Sequence, residues 1–362
     1  MIDPEARLLA EKLDGLPLAL ATAGAYLYQN SRSFSEYLRL YDTSWLRLQK
    51  TTPWLRTYED RALYTTWQLS LDQIVQQNEL SAQLLKFWAY FDNEDIWFEL
   101  LQHGRSSDIG WASELVEDEL SFDQTMRALC NYGLVEAAIP LEEMVESGGY
   151  SIHSCVHSWT VHMLNEQRDY EMAGLALRCV GSHVPGEDTS KFWVTERRLA
   201  RHAARCWYLL SNGLVRDEGL EWALGSLANL YYRQGKLDEA EKMYQRALQG
   251  YEKAWGPDHT STLSTVNNLG LLYADQGKHE EAEKMYQRAL QGYENALGPR
   301  LVSTYIPALN TVQNLASLYQ LIGRTDEAIG MLSRALRGLE SVLGASNRRE
   351  DVAAALAALE LE

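Results

Sequence analysis

The chain has 362 residues, room for two or three domains, and its 46% hydrophobic, 23% charged composition is that of an ordinary globular protein and not of a disordered one. No apolar run reaches the roughly eighteen residues of a membrane helix, since Gly15 to Ser31 is broken by Pro17 and Asn30, and the acidic start MIDPEARLLAE lacks the basic and apolar regions of a signal peptide, so a cytoplasmic protein is expected. The net charge of −17, of which −13 falls in residues 1–165, repels phosphate backbones and argues against a nucleic-acid partner.

Chain order begins with an amphipathic segment, Ala6 to Leu13, and then Gly15-Leu-Pro-Leu-Ala-Leu20. A breaker followed by Pro at a first helical position and an Ala- and Leu-rich run to Leu27 predicts a buried helix with a sharp start. Thr66-Trp-Gln-Leu-Ser70, the helical run Leu80 to Phe91 and the acidic Asp92-Asn-Glu-Asp-Ile96 follow. Next come a helix from about Phe122 to Tyr132 stopped by Gly133, then a hairpin of Leu134 to Ile139 and Gly149 to Ile152 around the acidic turn Glu142 to Gly148. Tyr150-Ser-Ile-His-Ser-Cys-Val-His-Ser-Trp159 lies just after that hairpin.

This succession resembles the distal part of the NB-ARC-type (STAND, NLR-like) signal-transduction ATPases. The Gly-x-Pro helix matches the family's helical subdomain over residues 1–55, and residues 56–165 resemble its winged helix. The resemblance implies nucleotide-contact roles for Pro17, whose counterpart packs on adenine, and for His153, whose counterpart touches phosphate. Ile152 and Ser154 stand where the family carries Met and Asp, and His157 completes a looser His-x-x-x-His form expected of fungal-like, repeat-bearing members.

The phosphate-cradling loop Gly-x-x-x-x-Gly-Lys-Ser/Thr does not occur; Gly235-Lys236 and Gly277-Lys278 continue with Leu and His. The sequence therefore predicts no enzyme and no cofactor, with ADP or ATP held only if a P-loop domain completes the site. His153, Cys155, His157 and His162 lack the spacing of a zinc set, so no metal is expected. Cys130, Cys155, Cys179 and Cys206 form no Cys-x-x-Cys pair and are read as buried thiols, and the eleven tryptophans as cores and helix seams.

Residues 166–221 read as connecting helices, Tyr170 to Val184 and Phe192 to Leu210. The second carries Arg197, Arg198, Arg201 and Arg205 at helical spacing, a basic face either paired to the acidic first half or open to an acidic partner.

From residue 222 the chain repeats. EAEKMYQRALQGYE, Glu239 to Glu252, returns unchanged 42 positions later as Glu281 to Glu294. A third, diverged copy falls four residues late because Arg300 to Pro307 is longer than its counterpart after Gly256. Each unit predicts two helices joined at Gly235, Gly277 or Gly323. The small residues Ala228, Gly270 and Ala316, the aromatic Tyr231, Tyr273 and Tyr319, and the paired alanines of each second helix resemble the tetratricopeptide repeat. The long period and the Gly-Pro links at 256–257 and 298–299 resemble its kinesin-light-chain variant. The fold expected is mainly α, with a helical subdomain and winged helix followed by an α-solenoid of three repeats over 222–343 and a capping helix or tail over 344–362.

Stacked helix pairs curve and leave the first helices on the concave side, free for a protein partner. The groove positions are Asn229, Tyr232, Arg233, Asn267, Asp275, Gln313 and Gln320, among which the amides suit the main chain of an extended peptide. Whether those amides only stabilise the stack stays open, and Asn268 and Asn314, one position further round, are expected to bond between helices. The function expected is a non-enzymatic scaffold binding a partner peptide or helix, with room for a homo-oligomer; the alternative is a piece of a nucleotide-switched sensor whose P-loop lies outside this chain.

Overall fold

In the computed structural model the described residues are 3–51, 58–106, 108–138, 147–167, 169–186, 189–343 and 347–360, with side chains over the same ranges except 47–51, 58–61, 106, 343 and 347. They form two compact units, Met1–Arg216 and Asp217–Glu362.

The first unit contains α1 (Pro4–Lys12), α2 (Pro17–Asn30), α3 (Phe34–Thr51), α4 (Tyr58–Gln77), α5 (Glu79–Trp88), α6 (Phe98–Leu101), α7 (Gly110–Leu115) and α8 (Glu119–Asn131). A two-stranded sheet, β1 (Glu136–Ala137) and β2 (Tyr150–Ser151), is followed by α9 (Ser154–Trp159), α10 (Tyr170–Ser182) and α11 (Phe192–Ser211). Acidic and amide caps set the helix starts: Asp3, Asn78, Asp118 and Asp169 each accept a backbone N–H of the first turn, at 2.7–3.1 Å. Pro17 opens α2 after a turn whose Asp14 and Gly15 have φ of 54° and 64°, so the breaker acts where the sequence places it. Helix α3 is an element that the sequence reading did not anticipate.

Trp67, Trp88, Trp97 and Trp159 are fully buried, with Trp67 and Trp159 ring centroids 5.8 Å apart, so these four tryptophans are core, whereas Trp193 and Trp255 are exposed. The hairpin pairs Glu136 with Ser151 and Ala137 with Tyr150, and Tyr150 also bridges Ile96, which brings the acidic segment 92–96 alongside the wing. The wing is shorter than expected because Leu134, Val135 and Ile152 leave the ladder to enter the core; the acidic turn from Glu142 lies outside the described residues, as does the 55/56 boundary.

Helix α11 pairs three arginines of its basic face within this unit. Arg198, 9% exposed, holds Asp95 through two bonds of 2.9 Å and lies 3.9 Å over the Trp97 ring. Gly149 makes room for that pair, since a Cβ there would stand 1.9 Å from the Asp95 carboxylate. Arg201 pairs with Glu94, and Arg205 donates to the Ala89 carbonyl at 2.7 Å. The pairing with the acidic first half thus holds, but Arg198 is buried, not solvated. His202 is fully buried: its Nδ1 accepts the Asp92 N–H at 3.2 Å and its Nε2 faces the Asp95 carbonyl at 3.0 Å. That arrangement requires the neutral tautomer protonated on Nε2, and burial holds the pKa of His202 below its ordinary value.

The second unit is a run of helix pairs: α12 (Glu221–Arg233) with α13 (Leu237–Trp255), α14 (Thr260–Asp275) with α15 (His279–Val302), and α16 (Ile306–Leu321) with α17 (Thr325–Leu343), then α18 (Asn347–Leu359). Gly235, Gly277 and Gly323 sit at φ of 73°, 74° and 77°, the left-handed stops that the sequence predicts. Ala240, Ala247, Ala282, Ala289, Ala328 and Ala335 are fully buried between large neighbours such as Tyr244 and Tyr286. Each such tyrosine removes enough apolar area to contribute roughly 2 kcal/mol.

The repeated segment also carries the bonds between neighbouring copies. Glu241 accepts from the Tyr273 hydroxyl and from Lys278, both at 3.3 Å, and the equivalent Glu283 accepts from Tyr319 at 3.0 Å and Arg324 at 2.9 Å. Lys278 and Arg324 in turn lie over the rings of Tyr273 and Tyr319. On the second helices Arg288 pairs with Glu252 and Arg334 with Glu294, while Arg246 takes Asp217 as the stand-in for a preceding copy. In the third copy Ile329 occupies the place of Glu241 and Glu283 and packs against the core cluster that includes Val352 and Leu359 of α18. The charged clasp gives way to an apolar seat where a helix of different design covers the stack.

Candidate interaction face

The expected groove residues stand on the first helices α12, α14 and α16, and several of their amides are engaged within the stack. Asn314 donates to the Asn267 carbonyl oxygen at 3.1 Å, Asn267 donates to Asn268 at 3.3 Å, and Asn268 donates to Asn229 at 3.5 Å. The Tyr244 hydroxyl closes this relay on Asn229. Asn268 and Asn314 therefore bond between helices as the sequence suggests. Asn267, only 9% exposed, and Asn229 do the same, so their amides serve the stack first. Gln313, together with Asn310, receives Arg348 of α18, which binds the end helix to the same face.

The remaining groove residues are more open. Tyr232 donates its hydroxyl to Asp275 of the next copy, and Asp275 and Gln320 are exposed. Burial and the Asp275 carboxylate together push the Tyr232 pKa up, so the phenol stays a donor at any physiological pH. Repeat register makes Arg233, Asp275 and Leu321 equivalent, and likewise Tyr232, Ala274 and Gln320. One row therefore presents a cation, an anion and an apolar side chain in succession, the last 66% exposed. Behind this row α13 and α15 share one repeated segment while α17 is diverged, and the row is one of the places where the copies differ. Its informative member, Leu321, was missed in the sequence because it reads as one more core leucine.

In the first unit, Pro17 is exposed at the start of α2, and His153 is exposed at the start of α9, where its Nδ1 accepts the Cys155 N–H at 3.2 Å. His153 thus acts as a helix cap. His157 is half-buried and its Nε2 meets the Phe91 carbonyl at 3.0 Å, with burial lowering its pKa. Among the described residues no group of three His, Cys, Asp or Glu side chains is arranged to hold a metal. Cys179 and Cys206 are buried and their thiols pushed up in pKa, but Cys155 is exposed, a correction to the reading of all four as buried. No helix of the described residues is long and apolar enough to cross a membrane.

The tetratricopeptide-repeat family description matches residues 219–295 and again 311–351. A nucleotide-binding leucine-rich repeat (NLR)-like protein of Hyaloscypha variabilis is 26% identical over 281 residues, 74% of this chain; the chain spans about a quarter (26%) of that relative's length. Among solved structures, kinesin-light-chain nearly identical TPR-like repeats of Podosopora anserina align at a TM-score of 0.41 and 16% identity, over 51% of this chain and 82% of that one. BtubC (BKLC) of P. vanneervenii aligns at 0.38 and 15%, over 72% and 81%. The chain is mainly α-helical with a tetratricopeptide-repeat array as its second unit, similar to an NLR-like protein over most of its length.

Proposed function

We propose that the chain works as a protein-binding scaffold, non-enzymatic and cytoplasmic, that captures a peptide or helix of a partner along the concave face of its repeats. The observation that carries this reading is the row Arg233, Asp275 and Leu321 beside Tyr232 and Gln320. It differs in chemical character from copy to copy at one register position and lies on the helices that tetratricopeptide arrays use for protein contacts. Contact is made by Tyr232, Arg233, Asp275, Gln320 and Leu321, while Asn229, Asn267 and Gln313 fix the helices that present them. A partner segment with an acidic, a basic and an apolar side chain in sequence complements the row. Quantitative pull-down with the full chain and with a Tyr232→Ala, Gln320→Ala, Leu321→Ser variant tests the face. Loss of the same partners from the variant supports it, and equal recovery refutes it.

A second reading, favoured by the match to the NLR-like relative across 74% of the chain, makes this a portion of a nucleotide-switched sensor. In that reading Pro17 and His153 meet adenine and phosphate once a P-loop domain is joined to them. Nucleotide binding measured with such a domain supplied, and its loss in His153→Ala, tests the assignment; unchanged binding in the variant removes it.

A further inference from the structure

The insertion that delays the third copy has a chemical consequence. Between the segment Arg300–Thr304 and the C-terminal half of α17 lies an open groove of about 780 Å³, lined by Arg300, Arg334 and Arg337 with Leu301 and Leu309. Its first-copy counterpart, a groove of about 380 Å³, is lined by Arg246 and Lys253 but also by Asp217, Glu218 and Glu221. There both cations are paired, Arg246 on Asp217 at 2.8 Å and Lys253 on Glu218 at 2.9 Å, with Glu221 as a further carboxylate.

In the third copy that balance is lost by three changes. Leu309 stands at the position of Glu221, Arg337 replaces Gln249 and Gln291, and Arg300 follows the Gly-Pro link where the preceding connection has Asp258. Only Arg334 has a carboxylate partner, Glu294 at 2.7 Å; Arg300 and Arg337 have no ion-pair partner among the described residues and are exposed. The connection is held in place, because Ser303 and Thr304 close it with hydroxyl bonds to the Arg300 and Leu301 carbonyls at 2.9 and 3.1 Å. Gly338 lets it approach α17 so closely that a Cβ there would stand 2.5 Å from the Ser303 carbonyl oxygen.

We infer that this groove is a second docking surface, one that takes an acidic peptide segment of a partner protein, with carboxylates on Arg300 and Arg337 and an apolar side chain against Leu301, which is 61% exposed. The protein's net charge of −17 disfavours a nucleic acid as occupant, whereas a short acidic segment needs only the local field of the guanidinium groups. The surface is separate from the first-helix row, so either can fail without the other.

The test is fluorescence anisotropy on the full chain with a labelled Gly-(Glu-Leu)4-Gly peptide, its Gln-Leu counterpart, and a single-stranded oligonucleotide of similar charge, at two salt concentrations. The Glu peptide is expected to bind, weakening with salt, and at least tenfold more tightly than the Gln peptide. Arg300→Glu with Arg337→Glu should lower affinity at least tenfold, and the milder double Gln variant at least threefold. Lys253→Glu, which changes charge in the first-copy groove, should leave it unaltered. Equal binding of the Gln peptide, affinity within twofold in the reversed variant while circular dichroism shows a native fold, or tighter binding of the oligonucleotide at either salt, each overturns the inference.

Discussion

Asn267 offers the sharpest separation between holding the stack together and touching a partner. Its side chain is 9% exposed, accepts from Asn314 at 3.1 Å and donates to Asn268 at 3.3 Å, so Asn267→Ala removes two bonds and leaves the half-buried Asn314 donor without its acceptor. A lost neutral hydrogen bond costs about 1 kcal/mol and an orphaned half-buried donor about as much again, so the variant should lose about 2 kcal/mol. For a unit of this size that lowers the melting temperature by roughly 4–8 °C. Gln320→Ala, a change at an exposed side chain, should stay within about 0.5 kcal/mol of wild type. Differential scanning calorimetry of the full chain reads both, and Asn314→Ala with the double variant reads the coupling between the amides. If Asn267→Ala melts with the wild type while partner binding falls, the amide is a contact residue and the structural assignment is wrong.

Three other perturbations probe the two units. Arg198→Ala leaves Asp95 without its buried cation and should destabilise the first unit by about 3 kcal/mol, measured by denaturant titration of tryptophan fluorescence; a change under about 1 kcal/mol would refute the pairing. Burial lowers the pKa of His202 and His157, so the unfolded chain binds more protons once the pH drops below the ordinary value of 6.5; their contribution is complete above that pH and is lost as pH falls through the depressed folded values. Protonated His202 Nδ1 can no longer accept from Asp92, with Asp95 and Arg198 the other charges facing it, so melting points measured from pH 7.5 to 5 should fall less steeply in His202→Gln than in wild type. Equal slopes would exclude His202 as the titrating group. Ile329→Glu restores the repeated carboxylate under α18 and should release that helix, seen as faster hydrogen exchange at residues 350–359; unchanged protection would show that the apolar seat is not what holds it.

Much of the second unit was legible because its stops and spacings are local. Gly235, Gly277 and Gly323 mark helix ends by a backbone requirement, and the alternation of Ala and Tyr in EAEKMYQRALQGYE follows one helix face. Asn268 and Asn314 could be assigned to the stack from register. Asn229, Asn267 and Gln313 could not, since each bonds a side chain 15–47 residues away and an amide that bonds a neighbouring helix looks the same in sequence as one that bonds a peptide. The basic face of α11 was visible, but the burial of Arg198 depends on Trp97 and Gly149, which come together only in three dimensions. Cys155 escaped for a similar reason: its exposure follows from standing in the first turn of α9 behind His153.

The central claim is that the first helices of the repeats, and specifically the row that varies between copies, select the partner. Its most direct measurement is pull-down with quantitative mass spectrometry on the full chain, wild type against Tyr232→Ala, Gln320→Ala, Leu321→Ser, with equal melting temperature required of both. The account predicts that a defined set of proteins falls at least fivefold together in the variant and persists when Arg300 and Arg337 are reversed instead. The same proteins recovered at the same yield from the row variant would contradict it.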